Sequence, residues 1–139
     1  MTQPDPHADA DYRSFLEALA REGLPRRGEA ARATEAVACA LALRLQLPEF
    51  EPLRAALPPP FQGRLEPCER HASAPPGEVR GLDGFLAVVA DDLGVARAAA
   101  EPMARAVFAA LRLQLGEAAE EEVARRLPED LAPLWTLAV

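Results

Sequence analysis

The second half of this chain repeats words of the first. Phe15-Leu16 returns as Phe85-Leu86, Leu43-Arg44-Leu45-Gln46-Leu47 returns letter for letter at 111–115, and Leu57-Pro58 returns as Leu127-Pro128. A repeat of this kind implies two copies of one supersecondary unit, each with too little core to stand alone. The offset is 70 residues at Phe15/Phe85 and Leu57/Leu127, but 68 at Leu43/Leu111. Length changes belong in loops, because an insertion inside a packed helix would turn its apolar face out of the core. One change is therefore expected between 23–30 and 94–100. The other is expected between Leu47–Leu53 and Leu115–Val123.

Periodicity makes both copies helical. Tyr12, Phe15, Leu16 and Leu19 follow at i, i+3, i+4 and i+7, and Leu82, Phe85, Leu86, Val89 and Leu93 repeat the stripe. Asp11 is the expected N-cap of the first helix. Gly23-Leu24 and Gly94-Val95 supply the glycine stop and apolar follower of a Schellman-type end. A long helix is expected from Glu29 to Leu47 and its counterpart from Arg97 to Leu115, with Pro102 early in the latter. Ala36 to Leu43 holds no polar residue, so that helix is either central or turned toward a partner. Short third helices are expected at Phe50–Leu57 and Glu117–Leu127, each ended by Leu-Pro. Within the Leu-Arg-Leu-Gln-Leu block the outer leucines share a helix face, while Leu45 and Leu113 point nearly opposite.

The expected architecture is all-α: a pseudo-symmetric helical bundle from two tandem three-helix repeats. Residues 1–10 read as an acidic tail, 11–65 as the first repeat, 66–81 as a Pro/Gly linker and 82–139 as the second repeat, both repeats packed as one domain. The 30 alanines and the lack of Ile suit closely packed helices. Lys, Asn and Ile are all absent, which points to a GC-rich, bacterial gene.

These marks together resemble a bacterial family catalogued as a domain of unknown function, number two-two-six-seven. The resemblance covers residues 12–65 and 82–137. It rests on Phe15, Gly23, Leu43, Leu47, Leu57 and Pro58, then Phe85, Gly94, Leu111, Leu115, Leu127, Pro128 and Glu129. It implies a helical tandem repeat and brings no catalytic residue. The first copy departs from it: its acidic loop shrinks to residues 48–52, and Pro59 stands where Glu129 stands in the second.

Charge and residue inventory exclude several functions. The net charge of −7 repels phosphate backbones and anionic membranes, so neither nucleic acid nor membrane is an expected partner. The polar N-terminus lacks the pattern of a secretory leader, and the location expected is cytoplasmic. His7, Cys39, Cys68 and His71 make a nominal Cys2His2 set. One lies in the tail, one in an apolar helix and two in the linker, and a zinc site needs donors that converge, so no metal is expected. Cys68 with His71 lacks an orienting third group, and no catalytic site or cofactor is expected. Asp91-Asp92 and Glu117, Glu120, Glu121 and Glu122 are read as helix-end charges. Arg26-Arg27 and Arg125-Arg126 are read as solvated faces.

What remains is a non-enzymatic protein–protein interaction or oligomerisation module, with Leu45, Leu113 and Trp135 as its expected surface. Trp135 is more readily explained as docking back onto the core. The alternative is a regulatory small-ligand domain with its site between the two repeats.

Overall fold

The computed structural model describes residues 6–24, 26–66, 71 and 79–135, with all their side chains except those of 6–11, 27, 47 and 60. Among them there is no strand. The first half runs α1 (Pro6–Arg21), α2 (Arg27–Arg44), α3 (Leu47–Ala56) and α4 (Pro59–Gln62). The second runs α5 (Gly81–Leu93), α6 (Arg97–Leu113), α7 (Glu117–Arg126), a 3-10 turn (Glu129–Leu131) and α8 (Ala132–Trp135).

Both expected glycine stops are present. Gly23 and Gly94 have φ of +110° and +66°, a region costly to any residue with a Cβ. The Leu24 N–H donates to the Leu19 carbonyl and the Val95 N–H to that of Ala90, each at 3.0 Å. These six-to-one bonds close a Schellman motif and fold the next residue onto the helix. The Leu-Pro pairs work alike. Leu57 and Leu127 are buried, and the carbonyls of Pro58 and Pro128 accept from Phe61 and Leu131 at 2.9 and 3.0 Å. Each starts a further helical turn that buries Phe61 or Leu131. A short fourth segment thus follows the expected trio in each half.

Several boundaries differ from those expected. The helix expected from Asp11 begins at Pro6, inside the expected tail, because proline suits a first helical position. The loop expected at 48–52 is helical: α3 starts at Leu47, with the Glu49 carboxylate accepting from the Gln46 N–H at 2.9 Å. The two-residue length difference therefore lies at the α2–α3 and α6–α7 junctions. Pro102 is the sixth residue of α6 rather than part of its first turn. It is exposed beside exposed Ala98, so water can serve the carbonyl that loses its N–H partner. Of the expected linker, 67–70 and 72–78 lie outside the described residues, as do Cys68 and the C-terminal Leu137, Ala138 and Val139.

The halves interlock. α1 packs on α6, α2 on α5 and α6, and α3 on α7. Every residue from Ala36 to Leu43 is buried, so α2 is central within its own chain, and its apolar run serves the core rather than a partner. Thr34, also fully buried, satisfies its hydroxyl by donating to the Ala30 carbonyl at 2.8 Å. Phe108 joins the aromatic core to the C-terminal turn, with ring centroids 6.1 Å from both Phe85 and Trp135. An ion pair ties the halves at the rim: Arg44 donates from Nε and Nη2 to the two carboxylate oxygens of Asp130, at 2.8 and 2.7 Å. This two-pronged bond holds Asp130 below the usual carboxylate range and raises Arg44.

Candidate functional site

Of the three residues expected to form an interaction surface, two belong to the core. Leu45 is 1% exposed and Trp135 4%. Leu45 goes inward because α2 ends at Arg44 and the next residue is extended. Trp135 is held by Phe108 and by Arg112, whose Nη1 donates to its carbonyl at 3.0 Å. Leu113 remains outside at 60% exposure, on the last turn of α6.

A groove opens where the halves meet. It has a volume of about 560 Å³ and is lined by Arg26, Gly28, Glu29 and Arg32 from the start of α2, with Leu93, Val95 and Met103 from the other half. The glycine stop of α5 builds its floor: the Schellman turn that folds Val95 back sets Leu93 and Val95 beside Met103. Arg32 crosses the junction, donating from Nη2 to the Leu93 carbonyl at 3.4 Å.

A second arrangement lies at the α2–α5 contact. Cys39, fully buried in α2, has its Sγ 3.6 Å from His71 Nδ1. Asp92 Oδ1 is 3.5 Å from that same nitrogen. The side chains of Asp92 and His71 are 9% and 23% exposed. The expectation that these residues cannot converge thus fails for Cys39 and His71, because α2 packs against α5 and brings the buried thiol to the end of that helix. Of the other nominal ligands, the His7 side chain and Cys68 lie outside the described residues.

Sequence reasoning reads Asp92, with Asp91, only as a helix-end charge, although a signal of more is present. Asp91 and Asp92 occupy the last turn of α5, which carries no basic residue. Carboxylates are disfavoured at that negative end of the helix dipole. The acidic residues of α7 behave as expected instead: Glu117 and Glu120 sit in its first turn, and Glu122 pairs with Arg126 and Arg125. The bond to Arg126, then that to Arg125, holds Glu122 below its ordinary value.

The chemistry open to the Cys39–His71–Asp92 set is limited by its shape. In a nucleophile–base–orienter triad, thiol and carboxylate engage opposite ring nitrogens. Here both approach Nδ1. No described helix is long and apolar enough to cross a membrane.

Comparison with known proteins returns a family model described as "Uncharacterized conserved protein (DUF2267)", matched over residues 12–134. No curated protein matches the chain.

Proposed function

The chain belongs to the DUF2267 family; on that premise, which carries no activity with it, we propose that it is a non-enzymatic module that holds a partner protein in the bacterial cytoplasm. The observation that carries this reading is the groove between the halves. Its apolar floor of Leu93, Val95 and Met103 lies inside a rim of Arg26, Arg32 and Glu29. An open groove with Met and Arg around an apolar centre has the anatomy of a protein interface. Methionine adds a side chain that adapts to what it meets. Two guanidiniums against one carboxylate make the rim locally positive on a chain of net charge −7. The complementary partner offers apolar side chains flanked by carboxylates.

The test is affinity purification from the native host with wild-type protein and Met103→Glu, repeated at high salt. A protein retained by the wild type, released by salt and lost from the variant supports the reading. Identical sets retained by both would overturn it. A second reading, a regulatory small-ligand site, draws on the same groove, whose volume falls in the usual range for small-molecule sites. Native mass spectrometry separates the two: a small molecule that stays with the wild type and leaves Met103→Glu favours the ligand.

A further inference from the structure

We propose that Cys39, His71 and Asp92 form a binding site for a borderline-soft divalent metal ion, zinc above all. The donor atoms of these three residues lie within 4.8 Å of one another. Bond lengths of about 2.3 Å to sulfur, about 2.0–2.1 Å to nitrogen and about 2.0–2.2 Å to oxygen set tetrahedral zinc donors roughly 3.3–3.7 Å apart. The Sγ–Nδ1 and Nδ1–Oδ1 separations are 3.6 and 3.5 Å. Two edges of the tetrahedron are therefore already at coordination spacing.

The alternative explanations fit less well. A buried cysteine alone is an ordinary small hydrophobe, but that gives no reason for an imidazole and a nearly buried carboxylate beside it. Relay chemistry needs the two ring nitrogens to work in opposite directions, and here one nitrogen meets both neighbours. Convergence on a single point is what an ion requires.

Charge and donor type choose the ion. On binding, the Cys39 thiol releases its proton to solvent and its sulfur lone pair forms the bond. One thiolate, one carboxylate and one neutral imidazole then balance a dication, which suits a site whose thiol is fully buried and whose carboxylate is nearly so. Thiolate with imidazole disfavours calcium and magnesium, which prefer oxygen donors, and suits zinc or its stand-in cobalt(II). Three protein donors leave a tetrahedral ion one position for water or a further donor. A cation here also suits the acidic end of α5, where Asp91 and Asp92 sit at the negative end of the helix dipole. The ion joins α2 of the first half, His71 between the halves, and α5 of the second. Metal binding is thus coupled to holding these three parts together.

The test uses the full chain, untagged and stripped with a chelator, so that its two histidines and two cysteines are the only such side chains present. Cobalt(II) alone should bind at one per chain and give the near-ultraviolet band of a thiolate-to-cobalt bond. That band should persist in Cys68→Ser and vanish in Cys39→Ser. Zinc alone, followed by calorimetry, should lose at least about 100-fold in affinity in His71→Ala and in Asp92→Asn, more than removing an outer partner of a metal ligand costs. Zinc should also raise the thermal midpoint of the wild type but not of these variants. Asp92→Asn keeps the side chain's shape, and the half-buried His71 is cut back without opening the α2–α5 core, so far-ultraviolet dichroism can confirm that both remain folded. Absence of the sulfur band in the wild type overturns the site, as does unchanged zinc affinity in both folded variants, or a band that tracks Cys68 instead of Cys39.

Discussion

Residues 43–47 and 111–115 carry the same five letters in different surroundings. In the first half the helix ends at Arg44, and Leu45 takes an extended cap conformation with φ −75° and ψ 138°. That swings Leu45 into the core behind Leu43. In the second half the helix continues to Leu113, and Gln114 caps it with φ −87° and ψ −4°. Residues two apart on a helix point about 200° apart, so Leu111 faces the core and Leu113 faces out. The two blocks also lead into different helix starts: a glutamate capping box at Gln46–Glu49 in one half, Gly116 ahead of Glu117 in the other. A repeated word therefore fixes the packing of its first leucine, while the next turn of chain decides where the helix stops.

The largest test of this contrast is the matched pair Leu45→Ala and Leu113→Ala. The first should lower unfolding free energy by about 2–5 kcal/mol, the cost of emptying a core site. The second should stay within about 0.5 kcal/mol, as exposed positions do. Urea denaturation measures both, and equal losses would break the comparison. The arginines of the two blocks come next. Arg44→Ala removes a two-pronged, partly buried bond to Asp130 and should cost about 1–2 kcal/mol. Arg112→Ala removes one bond to the Trp135 carbonyl and should cost about 0.5–1 kcal/mol.

The smallest effect is a pH dependence confined to the first block's pair. Asp130 is held below its ordinary value in the folded state, chiefly by its bond to Arg44. Between the folded and unfolded values the unfolded chain binds the extra proton, so stability falls as pH drops through that window and is fully present above it. The stability gap between wild type and Arg44→Ala should be constant near neutrality and shrink under acid. A gap that holds constant down through the acid range would show that the pair contributes nothing by charge.

Much of the fold is legible in the sequence because its signals are local. The stripes of α1 and α5, the glycine stops and the Leu-Pro ends each depend on a few neighbouring residues. The start of α1 is harder to place because Asp11 has the chemistry of a cap, while Pro6 already satisfies the conditions for a first turn. The extent of α3 is hidden by Pro48 and Pro52, which read as loop but are exposed in the helix, where a missing N–H costs little beyond the bond itself. The site is harder still. Nothing near Cys39 in sequence announces Asp92, because only the packing of α2 on α5 brings them together. Local pattern does offer one pointer, two carboxylates at the wrong end of a helix.

The crossing of each half's helices over the other's has a consequence for the order in which the chain is made. A ribosome finishes α2, with its unbroken apolar run from Ala36 to Leu43, before α5 and α6 exist to cover it. Until they emerge, α1 is its main shield, and the nascent chain is exposed to misassociation with neighbours in the same state. Slowing translation between the halves should therefore lower the yield of folded protein, whereas a delay after α6 should leave it unchanged.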